Sequence, residues 1–330
     1  MTQAALQPEV QAVLLSSERL TVEISQTGSL YRGARFDWHG FITQVTLDGA
    51  HTFCTSESLT PGKGTGGIGL CNEYGNEKPT GYADARPGET FPKLGIGLLR
   101  RPKDPDYSYM REHEIVQLFP VTCTSTPDQL SVAIEPVDCR GYAVRLVTNF
   151  QVKSNWLEID YRMENTGTRP VDTHEYRHNF IGIDGQFIGP DYHLHLPYPI
   201  EMEKIAHAYH KLAPPLLRKL LPNALMDAMI ENMLQKGLRV VAIKGGDVDF
   251  LAKPSTWFYF RTSGFDFRTD YQWEIMLCSK AVGVREYDDF TPSRVAVWGD
   301  AHVISAETFI DISLQPGEVK AWQRKYEFFD

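Results

Sequence analysis

The chain has 330 residues, 42% of them hydrophobic, and a formal net charge of −9. That can bury one large core or two smaller ones, and an acidic balance with no basic stripe argues against a nucleic-acid binder. The five cysteines, Cys54, Cys71, Cys123, Cys139 and Cys278, include no Cys-x-x-Cys pair, which argues against a zinc ribbon or a thioredoxin-type site and fits free thiols in a reducing cytosol.

The opening MTQAALQPEVQAVLLSSERL lacks the basic flank and long apolar run of a signal peptide. No window approaches the ~20 apolar residues that span a bilayer, so a cytoplasmic protein without membrane contact is expected. RLTVEIS alternates, with Leu20, Val22 and Ile24 on one face. FITQVTLDG closes on the turn dipeptide Asp48-Gly49. QLSVAIEPV, YAVRLVTNFQV and WLEIDYRMENTG continue the pattern, as do LRVVAIKGGDV, STWFYFRTS, WEIMLCS, RVAVWGD, TFIDISLQPGE and KAWQRKYEFF. Aromatic and β-branched residues dominate these runs. Many short strands with no repeat or linker predict an all-β fold, a large antiparallel β-sandwich, as one domain over residues 1–330.

One segment departs from this. Glu201 to Gly237 reads as helical, with Leu225, Met229 and Met233 recurring every fourth residue, Lys236 and Gly237 as a stop, and Pro214, Pro215 and Pro222 as breaks. A short helical insertion over 201–237 that covers a sheet face or edge is expected. Its charged face mixes both signs, which argues against a membrane-surface helix.

PGKGTGGIG places Gly62, Gly64 and Gly67 at Gly-x-Gly-x-x-Gly spacing, but that spacing binds dinucleotides only between a strand and a helix. Pro61 precedes it, and Gly69 and Gly75 interrupt any helix after it, so the glycines shape a loop whose backbone approaches something closely. The neighbouring GIGLCNEYGN and FPKLGIGLLRR offer Asn72, Glu73, Lys93, Arg100 and Arg101 as ligand contacts. DYHLHLPYP sets His193 and His195 on one face of a strand, with Asp191 in phase. Spacing fixes no third ligand, so no metal site is assigned.

The densest polar run is HEYRHNFIGIDG, residues 174–185. A period of two puts His174, Tyr176, His178 and Phe180 on one face and Glu175, Arg177, Asn179 and Ile181 on the other. Each buried polar group without a partner costs about 1–3 kcal/mol, so this strand needs either an internal ion-pair network or a functional cleft. Histidine suits proton transfer near neutral pH. Glu307, in VISAETFIDISLQPGE, offers a carboxylate at a strand entrance, with Glu286 and Asp288 as competitors.

Four segments in this order resemble the galactose-mutarotase-like superfamily, which includes the aldose 1-epimerases. They are GSLYRGARFDWHGFITQVTLDG, YRMENTGTRPVDTHEYRHNF, the late Glu307, and SLQPGEVKAWQRKYEFF. Thr173 and Arg177, rather than the family's Asn, precede the two histidines. The resemblance implies a β-sandwich that binds a small-molecule sugar in an open cleft and interconverts its anomers by general acid–base catalysis, with no cofactor. By position His178 is the implied acid and Glu307 the base. His174 fits the same His-x-aromatic pattern, so it is either the acid or a second sugar contact. Tyr176, Arg177, Asn72, Glu73, Lys93 and Arg100 are the expected substrate contacts, and a sugar phosphate is implied if Lys93, Arg100 or Arg101 reaches the cleft. The alternative is a non-catalytic carbohydrate-binding or sensing protein, with Trp38, Trp257, Trp273 and Trp298 as stacking platforms.

Overall fold

The structure is a computed structural model that describes residues 12–103, 106–204, 220–265 and 270–330. It consists of antiparallel strands in two ten-stranded sheets and one three-stranded sheet. The first sheet runs through Ala12–Ser16, Leu20–Ser25, Phe41–Leu47, Leu70–Tyr74, Val171–Asn179, Val303–Leu314, Arg294–Asp300, Phe258–Ser263 and Glu201–Met202, and His51–Thr52 pairs with Phe41–Leu47. The second runs through Val241–Lys244, Asp247–Phe250, Tyr192–His195, Trp273–Leu277, Val282–Asp288, Val319–Phe329, Trp156–Asn165, Val144–Lys153, Gln129–Ile134 and Val121–Ser125. The small sheet is Thr90–Lys93, Gly97–Arg100 and Ile115–Leu118.

The alternation read from the sequence sets the core. Leu20, Val22 and Ile24 are buried together, as are Leu157, Ile159, Tyr161 and Met163, each apolar side chain stabilising the fold by roughly 1.5–3 kcal/mol. Asp48 and Gly49 both take positive φ, 50° and 66°, in the turn that returns Phe41–Leu47 onto His51–Thr52. Three adjacent strands lack the alternation of burial: Leu70 to Tyr74, Glu175 to Asn179 and Val303 to Ile310 are buried at every position. These neighbouring strands lie inside the first sheet, with the second sheet on one face and loops on the other. No helix among the described residues is long and apolar enough to cross a membrane.

The described residues cover only part of the expected helical segment. Glu201–Met202 is a strand on Thr262 and Ser263, residues 205–219 lie outside the described residues, and the helix covers Asn223–Leu238. It packs beside Phe258–Ser263 and Val241–Lys244. The four-residue repeat lies on the outer side of the helix: Leu225, Met229 and Met233 are exposed, and Met226, Leu234 and Gly237 are buried. A Cβ on Gly237 would lie 2.2 Å from the Trp257 carbonyl oxygen. That close approach rotates the helix one position away from the four-residue repeat.

A buried ion network joins the sheets. Arg324, fully buried on Val319–Phe329, donates to Glu175 Oε2 at 2.8 Å, Glu286 Oε1 at 3.0 Å and the Thr308 carbonyl at 3.0 Å. Asp288 lies 3.3 Å away, and burial together with neighbouring Glu286 pushes its carboxyl well above the usual range. Removing the guanidinium strands these carboxylates in a dry interior. Arg324→Met is therefore expected to destabilise the protein by about 3–5 kcal/mol in urea unfolding at pH 7; a loss under about 1 kcal/mol would contradict the network's role.

Candidate active site

Strand parity sorts the polar run as its period predicts. Glu175 and Arg177 turn toward the second sheet, where Arg324 and Tyr161 meet them. His174, Tyr176 and His178 turn to the outer face of the first sheet. There Tyr176 sits in register between Phe309 and Glu73, and His178 sits opposite Cys71. Glu307 is the fifth residue of Val303–Leu314 rather than at a strand entrance, because the strand begins earlier than its apolar run suggested.

His178 and Glu307 meet on this face, with Nε2 3.2 Å from Oε1. Ser305 Oγ donates to the same carboxylate oxygen at 3.0 Å. The histidine is 5% exposed and the glutamate 4%. The His178 ring stacks on Phe180 at 4.0 Å, and Trp298 and Phe36 approach edge-on at 5.4 and 6.1 Å. A Cβ on Gly67 would lie 2.2 Å from the Phe180 ring; this is the close approach expected of the glycine loop, and its partner is the aromatic floor beneath His178. Burial raises the Glu307 carboxyl to about 8. Burial, with Arg35 nearby, holds the His178 imidazole well below its ordinary value. Near neutral pH the proton of the pair therefore rests on Glu307. A carboxylic acid with a neutral imidazole holds the same number of protons as a carboxylate with an imidazolium, so the two forms differ by one transfer across 3.2 Å.

A second network adjoins the pair. Tyr176 donates to Glu73 Oε2 at 2.6 Å, and Arg35 donates to that oxygen at 2.9 Å and to the Tyr176 hydroxyl at 3.0 Å. Lys93, fully buried, backs Glu73 at 3.4 Å and donates to the Tyr74 carbonyl at 2.6 Å. Burial lowers the Lys93 ammonium. The Tyr176 ring stacks on Phe309 at 4.3 Å, and Arg294 lies 3.7 Å over the other ring of that pair, Phe309. His174 lies apart from Glu307, its Nε2 2.7 Å from Asn76 Oδ1, and burial lowers its imidazole to about 4. Geometry thus brings His178, not His174, to the carboxylate.

Three expected contacts lie elsewhere. Arg177 faces the second sheet and donates to the Tyr161 hydroxyl at 3.1 Å and the Leu70 carbonyl at 2.6 Å. Its odd position forces this, and parity could have excluded it from the cleft. Asn72 pairs with Arg177 in register and shares that inward face; with its amide oriented to match its neighbours, it donates to Glu175 and to the Tyr176 carbonyl. Arg100 is exposed on the small sheet and pairs with Glu114 at 2.7 Å. Glu286 and Asp288 belong to the Arg324 network, which leaves Glu307 the carboxylate beside His178. Trp298 borders the site, whereas Trp273 is core. The sequence reading passed over Arg35, Ser305 and Phe309. Arg35 sits in the basic, aromatic run YRGARFDWHG, and Ser305 and Phe309 follow from Glu307 by the strand period of two.

No family model matches the sequence, and no curated protein matches it. Solved structures do match the fold. An aldose epimerase homologue from C. elegans is 9% identical, covers 97% of this chain and 99% of its own, and superposes with a TM-score of 0.58. A galactose mutarotase-like protein from Clostridium acetobutylicum is 11% identical over 99% of this chain and 97% of its own, at 0.56. A galactose mutarotase related enzyme from Lactobacillus acidophilus is 9% identical over 97% and 98%, at 0.54. The chain has the galactose-mutarotase-like fold.

The Glu307 shift makes a stability prediction. Its carboxyl moves from an ordinary 4.5 to about 8 in the fold, so between those values the folded chain binds more protons than the unfolded one. Stability from this group falls as pH rises through that window and stays lost above it. Glu307→Gln does not titrate, so its melting temperature relative to wild type is expected to rise between pH 4.5 and 8.5, by a few degrees. A difference that does not change with pH would contradict a desolvated Glu307.

Proposed function

We propose that the protein binds a sugar ring over the outer face of the first sheet and interconverts its α and β anomers, with His178 and Glu307 as acid and base. The contact between two desolvated groups that share one proton carries this reading. Transfer of that proton from Glu307 to His178 Nε2 creates the ion pair, and Arg35 favours the carboxylate form. Glu307 then takes the C1 hydroxyl proton while His178 gives one to the ring oxygen. The bond from C1 to the ring oxygen breaks as the C1 carbonyl forms, C1 turns about the C1–C2 bond, and the reverse steps close the ring. Proton count is restored at each turnover, so no cofactor is required. The Tyr176–Glu73–Arg35 network offers polar groups for ring hydroxyls, and Trp298 an aromatic face.

Exchange of common aldoses and their phosphates, followed by polarimetry or NMR, tests this. Glu307→Gln and His178→Ala should each slow exchange by about 10²–10⁴-fold; wild-type rates in both would remove the pair from the mechanism. The active pair holds one proton, so kcat/KM is expected to fall above about pH 8 as Glu307 ionises, and to fall again on the acid side once His178 also takes a proton, below its ordinary range. A flat profile from pH 7 to 10 would contradict this assignment.

One observation favours a second reading. The acid and base touch each other and are both more than nine-tenths buried, which suits a carbohydrate-binding protein whose pair is closed on itself. Saturable quenching of tryptophan fluorescence by a sugar, without exchange above background, would select it.

A further inference from the structure

A second cluster lies on the outer face of the opposite sheet. Tyr192 and Leu194 turn into the core, leaving His193 and His195 half-buried on the surface side of their strand. The neighbouring strand Asp247–Phe250 sets Asp249 against His193 and Asp247 against His195. Asp191, the carboxylate in phase along the chain, is engaged elsewhere, accepting from the Ser279 backbone N–H at 2.8 Å and its hydroxyl at 2.5 Å.

The bond pattern fixes how the two rings stand. His195 Nδ1 lies 2.7 Å from Asp247 Oδ1, and His193 Nε2 lies 3.3 Å from that same oxygen. His193 Nδ1 lies 2.8 Å from Asp249 Oδ1. The rings are nearly parallel, at 16°, with centroids 6.4 Å apart. His193 thus stands between two carboxylates, Nδ1 toward Asp249 and Nε2 toward Asp247, and the tautomer with its hydrogen on Nδ1 leaves Nε2 a lone pair with which to ligate. His193, His195 and Asp247 each offer one ligand atom, all within 4.8 Å of one another. Tetrahedral bonds of about 2.0–2.2 Å set ligand atoms roughly 3.3–3.6 Å apart, so the 2.7 Å between His195 Nδ1 and Asp247 Oδ1 must open, a rotation that half-exposed side chains allow.

The geometry points to a divalent transition-metal site of the zinc class, ligated by His193, His195 and Asp247, with Asp249 holding the His193 ring in the tautomer that frees Nε2. Two imidazoles and one carboxylate suit zinc, nickel or copper, and the nitrogen donors disfavour magnesium and calcium. A carboxylate on the far nitrogen of a ligating histidine is the usual outer support of such sites. The bound ion would clip Tyr192–His195 to Asp247–Phe250. It stands apart from His178 and Glu307, with both sheets between, so this assignment does not depend on the proposed reaction.

The test uses the full chain, freed of metal by a chelator, with the exposed Cys123 and Cys278 replaced by serine so that thiols do not compete. Zinc binding is measured by calorimetry and by competition with a chromogenic chelator. One zinc per chain is expected, with a melting temperature that rises with zinc and no displacement by equal magnesium or calcium. His193→Gln and His195→Gln should each weaken binding more than tenfold, and Asp249→Asn about tenfold. Circular dichroism shows whether each variant is folded. Fewer than one zinc per chain, or unchanged binding in the folded His193→Gln/His195→Gln double variant, would overturn the assignment.

Discussion

The nine-residue strand Val171–Asn179 is buried on both faces over its second half, yet it carries ionisable side chains on both. A dry interior accepts such groups only when each meets a partner, and that constraint organises the molecule around the strand. The inward face draws Arg324, Glu286 and Asp288 from the second sheet, so the ion network aligns the two sheets as well as neutralising Glu175. The outward face draws Glu307 from the next strand and Arg35 from the loop above. One alternation thus yields a structural network on one side and a proton-sharing pair on the other.

The two networks are desolvated to similar degrees but are satisfied differently. Arg324 leaves its Nε without a partner among the described residues, but its other two nitrogens meet several acceptors and its charge answers theirs. The His178–Glu307 pair is left less complete. Glu307 receives one hydroxyl donor, from Ser305, and His178 Nδ1 has no hydrogen-bond partner among the described residues. Poorly compensated burial of that kind is a common mark of functional sites, where stability is given up for reactivity. The aromatic floor of Phe180, Phe36 and Trp298 keeps water from the pair, and the glycine loop fits against that floor because Gly67 carries no side chain there.

Much of this was legible in the sequence because it depends on local periodicity. The strand alternation and the two faces of HEYRHNF follow from a period of two, whereas Glu307 stands out only through the resemblance, as its late glutamate. What was not legible depends on which strands become neighbours. Arg177 is no sugar contact, since its odd position already places it with Glu175 on the inward face. Asn72 shared its fate through cross-strand register, which no spacing along the chain reveals. Asp247 lies 52 residues from His195, so the third group beside the two histidines appeared only once the strands were paired. In the helix the regular Leu225–Met229–Met233 repeat marks the element but not its buried face, because the close approach at Gly237 turns Met226 and Leu234 inward.

The central claim is that the His178–Glu307 pair addresses the anomeric centre of a sugar. A crystal structure with a bound, slowly reacting sugar tests it most directly. The account predicts the C1 oxygen within hydrogen-bond distance of Glu307 and the ring oxygen beside His178 Nε2, with the 3.2 Å contact between the two residues replaced by bonds to the ligand. A sugar bound away from this face, with that contact intact, would contradict it.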